Sequence, residues 1–264
     1  MNKHTFTVAT ANTYFGKAIR TTGGLTPIKN ADVILFQEVF TPKANRLDTI
    51  LTDMGFTLVH AAPRFGLAIA LKNNTNLKYV EGSLQEHCLA KMPAVEKLYI
   101  EKAMRLPLVL IERGLISCQI VIGKQPVTIA TVHPTTPVSA KPRARYRQIV
   151  TLGKIISRHY ANDALILGGD MNHYPRPRSV DHAFHTKTDL SPVDLGSEPT
   201  WYAKGSKQER ILSVLSKFLR RPLDHFNGQH DIILYRKHAF RPIKTEVVDI
   251  PSDHRSIITT FEIA

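Results

Sequence analysis

The sequence predicts an α/β protein in which two β-sheets pack together with helices outside them. Three observations carry this. Short runs of strand type recur along the chain, and longer stretches of helical spacing lie between them. No Gly/Ser linker, composition break or internal repeat divides the 264 residues, so a single domain over residues 1–264 is expected. The apolar fraction of 43% and the charged fraction of 22% are those of a globular chain with ample core.

The elements follow in order. Thr5–Ala11 alternates loosely, and Asp32–Phe36 ("DVILF") reads as a buried strand. Further strands are expected at Phe56–Ala61, Gly66–Leu71, Gly114–Ile122, Val127–Val132, Ala164–Leu167, Asp231–Tyr235 and Ser256–Phe261. Pro42–Met54 places Leu47, Ile50, Leu51 and Met54 at helix spacing. Pro142–Tyr160 does the same with Tyr146, Ile149, Val150 and Ile156. Two segments read as insertions. Glu86–Leu110 carries a short helix with Pro93 near its start, where the missing N–H costs nothing. Lys207–Phe226 sets Ile211, Val214, Leu215, Phe218 and Leu219 at amphipathic spacing beside Lys207, Arg210, Lys217, Arg220 and Arg221. A basic amphipathic helix of this kind either packs on the core or lies in a membrane interface.

Charge narrows the partners. Thirty-five Lys and Arg against 22 Asp and Glu leave +13, with a pI near 9.8. Such a surplus favours polyanions, whether a nucleic-acid backbone or an anionic membrane face. Cys88 and Cys118 form no metal or redox motif, and a disulfide framework is not expected. The first residues lack the apolar core of a signal peptide, and no run approaches ~18 apolar residues. The expectation is a soluble monomer, reaching a membrane only peripherally or exported by a non-classical route.

The stretch "LILGGDMNHYP" (165–175) introduces the chemistry: a buried run ends in two glycines, then Asp170, then Asn172. Glycines remove the Cβ and allow close approach to a ligand. A turn at Tyr174-Pro175 would bring both polar side chains to one side. Other strand ends carry similar punctuation. Asn12 follows "TFTVATA", Gln37-Glu38 follows "DVILF", and His133 follows "VTIATV". Asp231 opens "DIILY", and Asp253-His254 precedes the last strand. Singly, each is ordinary; a strand-end Glu is usually solvated. Together they supply what phosphate-ester hydrolysis requires: hard oxygens for Mg²⁺, and His with Asp for proton transfer near neutral pH.

In this order, Asn12, Gln37-Glu38, Thr131-Val132-His133, Gly169-Asp170-Met171-Asn172 and Ser252-Asp253-His254 resemble the endonuclease/exonuclease/phosphatase superfamily. Each motif is short; their succession over nearly the whole chain carries the resemblance. It implies a four-layer α/β sandwich, with two central mixed sheets flanked by helices and a metal site at one end. It also implies roles. Glu38 would be the principal Mg²⁺ ligand (Mn²⁺ a substitute), with Asn12 beside it and Asp253 completing the shell. His254 would act as general base or stabilise the phosphorane, oriented by Asp231. Asp170 would handle the attacking water, Asn172 would donate to phosphate oxygens, and His133 would be a second donor to phosphate or leaving group. Arg143 or Arg147, in "RARYRQ", could reach a substrate phosphate, although surface arginine is the safer reading.

Motif detail is most similar to the neutral and bacterial sphingomyelinase branch: "QEVF" followed by "ANRL", then "GGDMN", "PTW" and "SDH". That implies phospholipase C-type cleavage of a phospholipid such as sphingomyelin. Two positions depart from the branch: Val132-His133-Pro134 where it has Thr-His-Leu, and Asp231-Ile232-Ile233 where it has Asp-Tyr-Ile. A nuclease acting on DNA or RNA is the alternative, resting on charge. An inositol 5-phosphatase fits less well, because His173 stands where that family has arginine and its Trp-Cys-Asp-Arg motif is missing. A non-catalytic phospholipid- or nucleic-acid-binding protein is disfavoured by the intact set Glu38, Asp170, Asn172, Asp253 and His254.

Overall fold

The computed structural model describes residues 4–39, 43–73, 75–90, 112–135, 142–172, 184–206, 209–219, 222, 224 and 227–264. Thirteen strands among them form two mixed sheets. The first contains β1 (Thr5–Asn12), β2 (Val33–Gln37), β3 (Phe56–Ala62), β4 (Leu67–Lys72), β12 (Phe240–Asp249) and β13 (Arg255–Ile263), in the order β12-β13-β1-β2-β4-β3. The second contains β5 (Leu77–Tyr79), β6 (Gln85–Ala90), β7 (Arg113–Ile122), β8 (Gln125–Val132), β9 (Leu165–Asp170), β10 (Ser191–Pro192) and β11 (Asp231–Tyr235). Its order is β10-β11-β9-β8-β7-β5, with β6 also on β7. Only β1/β2 and β8/β9 are parallel pairs. The helices placed in full are α1 (Lys17–Arg20), α2 (Lys43–Asp53), α3 (Pro142–His159) and α4 (Glu209–Leu219), and residues 184–188 are also helical.

Three apolar clusters separate four layers. Between the sheets lie Val8, Leu35, Ile69, Ile116, Ile129, Ile233 and Phe261, all buried. Outside the first sheet, Leu47 and Leu51 of α2 cover Ile34, Phe36 and Ala70. Outside the second, Ile149, Leu152 and Ile156 of α3 cover Val132, Leu165 and Leu234. Strands covered on both faces need apolar residues at every position, which is why "DVILF" and "LILGG" read as continuous runs. Cys118 belongs to the central cluster and no disulfide joins it to exposed Cys88.

Several expectations change here. On α3, Ile149 and Ile156 face the core as expected, but Val150 is 48% exposed and Leu152 is buried in its place. Gln85–Ala90 forms an edge strand at the start of the first insertion, and the short helix expected around Pro93 lies outside the described residues. Four further strands, β5, β6, β10 and β12, were not expected. The two glycines of β9 serve packing, not a ligand. A Cβ on Gly168 would stand 2.6 Å from Leu35 Cδ1 of the facing sheet, and one on Gly169 would stand 2.0 Å from the Val132 carbonyl oxygen. Among the described residues, no helix is long and apolar enough to cross a membrane.

Candidate active site

Strand direction assembles the site. The parallel pairs β1/β2 and β8/β9 run to the same rim of the sandwich, where they release Asn12, Glu38, His133 and Asp170. The antiparallel neighbours β11 and β13 begin there, so they bring Asp231 and His254. Asp231 lies directly across the ladder from Asp170. Chemistry spread from residue 12 to residue 254 is thereby gathered into one buried cluster.

His254 is the centre of that cluster. Its Nδ1 lies 2.8 Å from Asp231 Oδ2, and its Nε2 lies 3.7 Å from Asp170 Oδ2. A carboxylate can only accept, so the contact fixes a proton on Nδ1 and orients the ring. Burial alone would lower the His254 pKa; the charge of Asp231, then that of Asp170, outweighs it and holds the imidazole well above its ordinary range. For Asp170 the balance mirrors this. Burial would raise its carboxyl, but the imidazole of His254, then His133 and His230, holds it well below the usual carboxylate range.

Asp170 is held on several sides. Asn12 Nδ2 donates to its Oδ2 at 3.0 Å, and the Asn172 N–H donates to its Oδ1 at 2.8 Å. His133 Nε2 faces Oδ2 at 3.4 Å. Arg113 can only donate, so its contact with His133 Nδ1 (3.2 Å) makes that nitrogen the acceptor and puts the ring proton on Nε2, toward Asp170. Asn172 commits one amide proton to the Pro134 carbonyl at 3.0 Å. The turn that folds Asn172 back is its own left-handed backbone, φ 46°; Tyr174-Pro175 lies outside the described residues.

Glu38 is also left-handed, φ 59°, as are Tyr14 and Phe15, both φ 51°. These three residues, with Asn172, account for all but Asp189 of the positive-φ non-glycine residues described. Such conformations cost of order 1–3 kcal/mol each and gather where geometry matters more than local stability. Their effect is concrete: the Phe15 N–H donates to Glu38 Oε2 at 2.8 Å, and the Tyr14 N–H to Asn12 Oδ1 at 3.0 Å. Beside Glu38, Gln37 is structural. Its amide bonds Thr10 and Leu35 in its own sheet and Thr131 in the other, tying the two rims together.

The donor set fits a divalent cation. Glu38 retains acceptor capacity beyond the bond from the Phe15 N–H, and a buried oxygen of Asp231, Oδ1, has no hydrogen-bond partner. Ligand atoms of Asp170, Asp231 and His254 lie within 4.8 Å of one another. Asn12, Glu38 and Asp253 add hard oxygens of the kind that Mg²⁺ and Mn²⁺ take. Asp253 is half-buried, and its carbonyl accepts from Tyr202.

Some participants were given no role from the sequence, although Thr200 and Trp201 lie in the "PTW" motif. Thr200 Oγ1 accepts from the His230 and Asp231 N–H groups at 2.9 Å, and Trp201 stacks on His230 at 4.9 Å. His230 in turn meets the His254 ring edge-on at 6.2 Å. In "RARYRQ" the inward residue is Gln148, which is buried and bonds Thr135 twice. Arg147 is exposed, and the Arg143 side chain lies outside the described residues.

Comparison with known proteins identifies the fold that carries this cluster. Sphingomyelinase C from Streptomyces griseocarneus superposes with a TM-score of 0.67 at 15% identity, covering 97% of this chain and 99% of that one. The human nocturnin catalytic domain gives 0.65 at 16%, covering 98% and 95%. D. rerio TDP2, in complex with a single-strand DNA product, gives 0.67 at 15%, covering 97% and 98%. At such identities the likeness shows a shared fold, the DNase I-like one of two mixed sheets flanked by helices. No curated protein sequence matches the chain significantly. The model of one family, however, matches residues 9–254, from before Asn12 through His254. With that span covered, the chain belongs to the Endonuclease/Exonuclease/phosphatase family, whose members hydrolyse phosphoesters.

Proposed function

We propose that this protein is a Mg²⁺-dependent phosphodiesterase, with Mn²⁺ as a substitute, that cleaves a phospholipid such as sphingomyelin in the manner of a phospholipase C. The observation that carries the hydrolytic reading is the buried array Asp231–His254–Asp170. With Nδ1 committed to Asp231 at 2.8 Å, Nε2 is the nitrogen left to exchange a proton with water or leaving group. Asp170 stands next to that nitrogen as the group that orients the water. Asn172 keeps one amide proton for a phosphate oxygen, and the His133 N–H beside Asp170 supplies a second donor. Glu38, Asn12 and Asp253 would hold the metal, which when bound offsets charge building on the phosphoryl oxygens.

Motif similarity to the sphingomyelinase branch and the positive net charge support the lipid substrate. Two observations favour a second reading, a nuclease: net charge +13 suits phosphate backbones, and a protein of the same fold is seen with a single-strand DNA product. The test is a side-by-side assay on mixed-lipid vesicles containing sphingomyelin and on single- and double-stranded DNA and RNA, with Mg²⁺ and with EDTA. Head-group phosphate released only from vesicles, and only with metal, is the expected result. Cleavage confined to nucleic acid would replace the lipid reading, and turnover that survives EDTA would overturn metal dependence.

A further inference from the structure

We propose that α4 is a docking element that seats the active-site rim on an anionic lipid surface; the inference rests on the lipid reading above and deepens it. In α4, Val214, Phe218 and Leu219 are turned away from the core. Leu212 is buried against Trp201 and Ala203. Val214, Phe218 and Leu219 are 67%, 82% and 48% exposed. Of the six large apolar side chains exposed among the described residues, these three share one short helix. Val214 and Phe218 are one turn apart and project together. A helix packed solely to complete the core would bury that stripe and expose its charges. Here exposed Arg210 and Lys217 stand on the same outward side as Val214 and Phe218.

Charge selects the occupant. From Lys207 to Arg221 the sequence holds five cations and a single acid, Glu209, within a chain of net charge +13. Apolar residues flanked by Lys and Arg suit the boundary between acyl chains and anionic head groups, where both parts gain. A second copy of this chain would bring the same positive charge to the contact and be repelled. Position adds the functional sense. Leu212 packs on Trp201, Trp201 stacks on His230, and His230 meets His254, so two rings separate the helix from the candidate proton-transfer group.

The test is sedimentation of the full chain with vesicles of phosphatidylcholine alone or mixed with phosphatidylserine, comparing wild type with Val214→Ser/Phe218→Ser. Turnover of a soluble phosphodiester, bis(p-nitrophenyl) phosphate with Mg²⁺ or Mn²⁺, is measured in parallel. Expected are preferential binding to anionic vesicles, a loss of at least ~10-fold in partitioning for the double variant, and unchanged turnover of the soluble ester. Far-UV circular dichroism checks folding, and Phe218→Trp provides a second handle, its indole emission shifting to the blue on vesicles. Equal sedimentation of wild type and double variant, or an emission of the Phe218→Trp protein that vesicles leave unmoved, would overturn the docking role. So would a stable dimer in solution that the double variant dissolves. Vesicle binding that responds to the substitutions while no ester is hydrolysed would sink the catalytic reading and leave docking intact.

Discussion

Asp170 and Asp231 face each other across neighbouring antiparallel strands, and the His254 ring spans the space between their carboxylates. Two buried acids so placed would repel strongly; a shared imidazole offsets that repulsion and is itself fixed in orientation. Replacing His254 with Ala should therefore lower turnover by at least ~10²-fold, and Asp231→Asn, which loses the acceptor that orients the ring, should fall between that variant and the wild type. Steady-state kinetics with Mg²⁺ on the preferred ester decide this. A near-normal rate for His254→Ala would remove it from the reaction.

Metal dependence should be visible without turnover. Mg²⁺ or Mn²⁺ should raise the thermal midpoint of the wild type, since a ligand that binds only the folded state stabilises it. Glu38→Gln should weaken that response, because an amide supplies a poorer hard-oxygen ligand. Equal midpoint shifts in both proteins would place the ion elsewhere.

The glycines of β9 should differ in their tolerance of a methyl group. Gly169→Ala would drive Cβ into the Val132 backbone, which cannot yield, and should cost at least about 3 kcal/mol. Gly168→Ala presses on the end of the Leu35 side chain, which can rotate, and should cost about 1–2 kcal/mol. Urea unfolding midpoints test the order, and a reversed order would mean that the facing sheet, not the adjacent strand, limits the approach.

Thiol chemistry should report the layering. Burial between the sheets pushes the Cys118 thiol up to about 12, whereas Cys88 is exposed on the edge strand β6. Ellman's reagent should titrate one thiol in the native protein and two in guanidinium. Two fast thiols without denaturant would contradict the sealed core.

Asp32 should make a small pH-dependent contribution to stability. Its pKa is raised by burial, which outweighs the hydrogen bond from the Thr7 N–H and the nearby Lys72. The folded state thus holds this proton more tightly than the unfolded chain. The contribution is fully present below 3.8, the unfolded value, and is lost as pH rises through the raised folded value. Asp32→Asn keeps an acceptor for Thr7 and should be at least as stable as wild type at pH 7. Denaturation midpoints of the two proteins between pH 3.5 and 7 should diverge in the variant's favour as pH rises; a constant difference would refute the shift.

Much of this was legible in the sequence because it depends on local pattern. Strands β2, β8 and β9 are covered on both faces and announce themselves as apolar runs, and the polar residues that end them are the ones at the rim. What escaped depends on pairing. Strand β12 carries Arg241, Pro242, Lys244 and Glu246, with much of its length exposed, and is a strand because β13 offers it a partner. Strands β5 and β10 are three and two residues long, too short for any period to show. The same limit explains Arg113 and His230, and the roles of Thr200 and Trp201 within "PTW", all set by register and stacking across the sandwich. For α4 the spacing was plain, but which side of the helix met the core could be told only from Leu212.

Strand β1 lies between β2 and β13, and the Ser252 hydroxyl donates to the Asn12 carbonyl across a separation of 240 residues. A ribosome making this chain delivers Asn12 240 residues before Ser252, with strands β2–β12 between them. Until then β1 has an unpaired flank, and Asp231 and Asp170 lack the imidazole between them. The candidate site is therefore complete only once β13 docks beside β1, and hydrolysis of a reporter ester would time that closing.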